Sequence, residues 1–277
     1  MSVILDMMSF TFMVRAVTVG LMVSLCASLL GVSLVLKRYA MIGTGLGNVG
    51  FAALVSATAL GFDGLAVSMP IVLVAAIALL RLSENSKIKG DSAVALISAG
   101  SLAVGVVIVS ETTGLTTHVC NAMFGSILVM TRADTQLSVI LSIVVTLLFI
   151  LFYKQLFAVT YDETFAKATG TKTEVYKTLL ALLTGVTVVL GMRMMGALLI
   201  ASLIIFPPLT AMRLCKSFLS VVVTSGVVAV ICFFIGIVLS FQLGMPPGAS
   251  VVSVNLAVFL LFGGLSMIKR IGIGGKV

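Results

Sequence analysis

The chain has 277 residues, 60% of them hydrophobic and 9% charged, with a mean hydropathy of +1.29 and a net charge of +8. A soluble globular domain carries roughly a quarter charged residues, so the composition excludes one and predicts a polytopic membrane protein. The positive charge does not predict nucleic-acid binding, because the cations cluster at the ends of apolar runs on alternate loops, as the positive-inside rule requires.

Residues 1–11 contain Asp6 and neither Lys nor Arg, and the apolar run from Phe12 to Leu36 has no small-residue cleavage site near its end. That predicts a retained first span rather than a removed signal peptide. Candidate spans lie at 12–36, 40–61, 64–80, 92–110, 135–153, 178–192, 194–212, 217–241 and 249–268. Nine crossings with Lys37 inside put the N-terminus outside and the C-terminus in the cytoplasm. Arg193 and the Pro207–Pro208 pair interrupt 178–212, and a break or re-entrant stretch there reduces the count to eight. The expected fold is all-α, with eight or nine transmembrane helices in a single transmembrane domain over residues 1–277.

The second span deserves its own reading. From Ala40 to Gly61 it carries no charge, and it is long enough to cross a hydrocarbon core of ~30 Å. Gly43, Gly45, Gly47 and Gly50, with Thr44 and Asn48 among them, suit a face that meets protein or water rather than lipid. This helix is expected to be internal. Gly45-x-Gly47-x-x-Gly50 matches a dinucleotide fingerprint in form only, since that motif needs a preceding strand in a soluble βαβ unit.

Two polar segments follow. Between the fourth and fifth spans, residues 111–134 are expected to hold a short helix at the outer mouth, its apolar stretch from His118 to Met130 being too short to span. His118, Cys120 and Glu111 are weak candidates for a metal contact there, since imidazole and thiolate suit zinc-like ions but the paired spacing of zinc motifs is missing. The segment 158–177 reads as a helix over 161–169 bracketed by two capping boxes, Thr160-x-x-Glu163 and Thr171-x-x-Glu174, with Gly170 at a left-handed end. From the residues alone it is either a connector resting on the membrane surface or a docking site for a partner.

Other chemistry is sparse. The chain has no GxxxxGK[ST], HExxH or GxSxG, so no catalytic residue is assigned and any ATP hydrolysis belongs elsewhere. Apart from Arg15 and Arg193 near span ends, the spans lack ionisable residues, which disfavours a proton-coupled carrier. Cys26, Cys120, Cys215 and Cys232 are scattered and form no framework, and Met192, Met194 and Met195 are expected to fill gaps rather than bind a soft cation.

Several pieces, in order, resemble the permease subunits of ABC-3 type importers of zinc, manganese or iron(II). They are LKRYAMIGTGLGNVG, GDSAVALISAGSLAVGVVIVS, NAMFGSIL, YDETFAKATG, MMGALLIASLIIFPPLTAMRL and LSFQLGMPPGASVV, and the resemblance as a whole extends from about Arg15 to Phe262. The resemblance implies a bacterial plasma-membrane subunit that works as a pair with a second permease copy. It also implies a cytoplasmic ABC ATPase carrying ATP and Mg, and an extracellular or periplasmic solute-binding protein. In that family the cytoplasmic helix couples to the ATPase, which maps here onto Tyr161, Asp162, Glu163, Ala166 and Gly170. The family's metal-contacting Asp and His fall on Thr44 and Asn48, which would line the substrate path. A hydroxyl and an amide offer neither charge nor imidazole to a divalent ion, so a metal chelate or an organic solute stands as the alternative cargo. An ATP-independent carrier or channel is the remaining alternative.

Overall fold

The computed structural model describes residues 7, 9–85, 90–111 and 132–274. Eleven helices follow in the described residues: α1 (Thr11–Leu36), α2 (Ile42–Ala59), α3 (Gly64–Asn85), α4 (Gly90–Glu111), α5 (Arg132–Leu151), α6 (Tyr153–Tyr161), α7 (Glu163–Ala168), α8 (Thr173–Met195), α9 (Ala197–Leu214), α10 (Phe218–Leu243) and α11 (Pro247–Gly274). Eight of them, α1, α2, α4, α5 and α8 to α11, are long and apolar enough to cross a membrane. The apolar part of α3, Ala66–Leu82, is shorter.

Helix is the forced choice for these sequences, the glycine-rich α2 included, because a bilayer offers no water to satisfy a free backbone N–H or C=O. The direction of each helix follows from which residues meet. α1 ends at Lys37, and α2 leaves from there. α3 starts beside Leu54 and Thr58 in the far half of α2 and returns until Arg81 shares a groove with Glu174 at the start of α8. α4 rises again, with Val94 beside Gly45 and Gly105 beside Phe51. α5 descends into α6, placing α6 and α7 at the Lys37 end.

The doubtful stretch 178–212 resolves into two antiparallel helices. Met192 meets Gly50, Ala197 meets Gly47 and Ile204 meets Gly43, so the chain runs outward along α8, reverses at Gly196 (φ 82°) and comes back along α9. Neither Arg193 nor the prolines break a helix: α8 continues through position 193 and α9 through Pro207 and Pro208. Pro208 has no N–H for the Ile204 carbonyl. That oxygen lies against Gly31 of α1, where a Cβ would overlap it. α10 then leaves the Lys37 end, with Ser225 bonding the Ser28 carbonyl and Phe241 reaching Phe10, and α11 returns to set Phe259 under Arg213. Counting α3, the described helices make nine alternating passes, with α1 beginning at the end opposite Lys37.

The core is shared by α1, α8, α9 and α10, where Val23, Leu30, Val188, Leu199, Leu203 and Phe233 are fully buried. α2 is internal as expected. A Cβ at Gly43, Gly45 or Gly50 would come within 2.9 Å of Ile204, Val94 or Met192, so the glycines set the helix spacing. Met192 and Met195 are buried packing residues, as anticipated.

Candidate functional site

The turn from α1 to α2 is unusually tight. Arg38 sits in the left-handed region (φ 61°), with Arg38 N–H donating to Val35 O and Tyr39 N–H to Leu34 O. This closes the helix as a glycine usually would and holds Lys37, half-buried, at the foot of the bundle.

α7 is shorter than the sequence suggested and is capped by a different residue. Its N-cap is Asp162, whose Oδ1 accepts from Phe165 N–H at 2.9 Å. Thr160 lies inside α6, a helix the sequence reading had merged into span and loop. Glu163 does not return to the backbone as a capping box requires. With Asp162 at the N-cap, Glu163 is the first residue of the six-residue α7, and its side chain reaches sideways into a cluster of lysines. The second box fails likewise: α8 begins after Lys172 with no side-chain cap, and Glu174 turns to Lys177. Gly170 does occupy the predicted left-handed position (φ 84°), with Gly170 N–H donating to Lys167 O and Thr171 N–H to Ala166 O.

The resulting ion network ties three elements. Glu163 Oε1 lies 2.9 Å from Lys177 Nζ and 3.0 Å from Lys167 Nζ, and its Oε2 lies 3.7 Å from Lys37 Nζ. Glu174 adds contacts of 2.9 Å to Lys177 and 4.0 Å to Lys167. Burial by itself would raise the Glu163 carboxyl, but the hydrogen bonds from Lys177 and Lys167 and the charges of Lys177 and Lys37 outweigh it and hold its pKa down to about 2. Lys177 is 4% exposed and is ionically satisfied by both glutamates. Ala166 is fully buried under α7, which seats the helix, while Phe165 on α7 (64% exposed) and Tyr161 at the end of α6 (81%) are open to their surroundings.

The other predicted site residues are separate from this cluster. Thr44 and Asn48 sit one turn apart on α2, both half-buried. Asn48 Nδ2 donates to Ser98 Oγ on α4 at 2.7 Å. His118 and Cys120 lie outside the described residues; Glu111 is exposed at the end of α4. No cluster of three or more metal-ligating side chains occurs among the described residues. Lys37, Lys177 and Ser98 were missed as site residues. Lys177 had a local signal, its i+3 spacing from Glu174, whereas Ser98 had none.

A bundle of antiparallel helices, eight of them long and apolar enough to cross a membrane, with a short helix seated at one end, is the architecture of a polytopic membrane protein. The chain belongs to the ABC 3 transport family, whose sequence profile matches residues 9–266. It is 26% identical, over 92% of its length and 88% of the relative's, to the manganese transport system membrane protein MntC of Halalkalibacterium halodurans. It is 25% identical over 91% of its length and 90% of the relative's to the manganese import system permease protein ScaB of Streptococcus gordonii. Among solved structures, PsaBC from Streptococcus pneumoniae in complex with Fab superposes with a TM-score of 0.83 at 25% identity, covering 94% of each chain.

Proposed function

We propose that this chain is the permease subunit of an ATP-driven importer in the bacterial plasma membrane, with the Lys37 end in the cytoplasm and the start of α1 outside. The observation that carries the reading is the seating of α7. A capped helix is bonded through one carboxylate to the ends of α1 and α8, so a force applied at its exposed Phe165, or at Tyr161 just before it, is passed to two membrane helices. In this reading those residues dock a cytoplasmic ABC ATPase, on which ATP and Mg would act. An extracellular or periplasmic binding protein would deliver the cargo, and a second permease copy would complete the path.

The relatives' names favour manganese or another divalent metal ion as cargo. Thr44 and Asn48 temper that choice, since neutral oxygens hold such ions only weakly without a carboxylate or imidazole. Within this proposal the binding protein does most of the ion selection, and a chelate or small organic solute recognised by hydrogen bonds is the second reading. The test is the reconstituted complex with its binding protein, loaded with manganese, zinc or iron(II) or left empty. Ion-loaded protein is expected to stimulate ATP hydrolysis several-fold over empty protein. No response to any ion would reject the metal cargo. Uptake that persists without the ATPase would reject the importer altogether.

A further inference from the structure

Between α1, α5 and α10 the surface opens into a groove of about 530 Å³. Its walls are Leu25 and Leu29 of α1, Phe149 and Ile150 of α5, and Val223 and Val227 of α10. Gly226 widens it: a Cβ there would meet Leu25 Cδ1 at 3.3 Å. Toward the Lys37 end the groove closes on Tyr153, whose ring lies 5.5 Å from Phe218, itself 4.8 Å from Phe157. This aromatic floor lies just past the end of α5 and at the start of α10, and rings at the ends of apolar helices favour the level where chains give way to headgroups. Immediately beyond it the chain carries two exposed cations, Lys154 in the first turn of α6 and Lys216 just before α10. No acidic residue occurs in 135–161 or in 175–277, and Asp134 stands at the opposite end of α5, so the groove-forming elements offer no carboxylate at the end where these lysines lie.

We propose that the groove holds an acyl chain of an anionic phospholipid whose phosphate rests on Lys154 and Lys216. In hydrocarbon, an apolar groove is filled by whatever chain packs into it, with little preference between lipids. Selectivity therefore has to come from the rim, where two cations favour a headgroup of net negative charge. A second copy of this chain fits the rim poorly. A symmetric contact would bring two pairs of lysines together with no acid at that end of the groove-forming elements.

The chain has no tryptophan, which permits a clean test in the full-length protein. Leu219→Trp places a single fluorophore on the groove, and Leu147→Trp places one at an exposed position of α5 that is not itself among the lining residues. Each is reconstituted in phosphatidylcholine nanodiscs with graded brominated phosphatidylglycerol or brominated phosphatidylcholine. The Leu219→Trp protein is expected to be half-quenched at a roughly tenfold lower fraction of the anionic lipid, a preference of the size two surface cations supply. The Leu147→Trp protein should show no preference, and Lys154→Gln with Lys216→Gln should abolish it at Leu219→Trp. Equal quenching by both lipids, a preference that survives loss of the lysines, or protection from both lipids by a dimer contact would each overturn the proposal. If Leu219→Trp melts early by circular dichroism, Val223→Trp reads the same groove.

Discussion

Glu163 Oε1 accepts a hydrogen bond from Lys177 Nζ at 2.9 Å, joining the short helix α7 to the base of the long helix α8. Because Lys177 is almost fully buried and Glu163 also faces Lys37 and Lys167, this one carboxylate organises the whole Lys37 end.

Replacing Glu163 with Gln removes one of the two glutamates that neutralise the buried Lys177. Removing one partner of a buried pair is costly, and the partial exposure of Glu163 reduces the cost to about 1–2 kcal/mol. A lower melting temperature in detergent is expected. ATP hydrolysis of the assembled complex should become uncoupled from transport to a larger degree than the stability loss explains, as measured by the ratio of uptake to hydrolysis.

The same group sets a pH window. Its folded-state pKa is depressed from 4.5 to about 2, so its stabilisation is fully present above about pH 4.5 and is lost as pH falls toward 2. The stability difference between the native protein and Glu163→Gln is therefore expected to be flat above pH 5 and to shrink below 4.5. A difference that grows on acidification would contradict the assignment.

Asp162→Ala removes the cap of α7 and is expected to cost about 1 kcal/mol, with faster amide exchange at Phe165 and its neighbours. Asp162→Asn should keep most of the protection. Thr160→Ala should leave that exchange unchanged, because Thr160 does not cap α7.

Arg38 occupies a left-handed conformation that costs a side-chain-bearing residue about 1–2 kcal/mol. Arg38→Gly is expected to raise thermal stability, while Arg38→Val should lower it. Melting curves of the two variants decide this.

Ser98→Ala breaks the α2–α4 hydrogen bond from Asn48 and should cost about 0.6 kcal/mol, the average for such bonds between membrane helices. If Asn48 lines the substrate path, the same variant should shift the apparent affinity for cargo with little change in expression. Replacing Thr44 with Asp and Asn48 with His should strengthen dependence on divalent ions. An assembled double variant without that gain would place cargo selection elsewhere.

The membrane class, the span boundaries to within a few residues and the internal glycine face of α2 were legible in the sequence. Each depends on local composition or on a side chain's own helix, which hydropathy and small-residue spacing report directly. The left-handed Gly170 was legible for the same reason. Other features were not. Thr160-x-x-Glu163 had the form of a capping box, yet Asp162 took the cap and Glu163 turned to lysines on α1 and α8. Arg193 and the double proline left open a broken or re-entrant stretch as the alternative to two spans, yet α8 is helical through 193 and α9 through the prolines, where Gly31 gives the freed Ile204 carbonyl room at the α1 backbone. Asn48 and Ser98 belong to helices whose adjacency no periodicity encodes. By itself, then, the sequence determined which segments enter the membrane and where each helix is smooth enough to be approached. The tertiary structure alone decided which polar groups meet, because in hydrocarbon a buried charge or amide takes whichever partner the packing brings within reach, and packing is a property of the whole bundle.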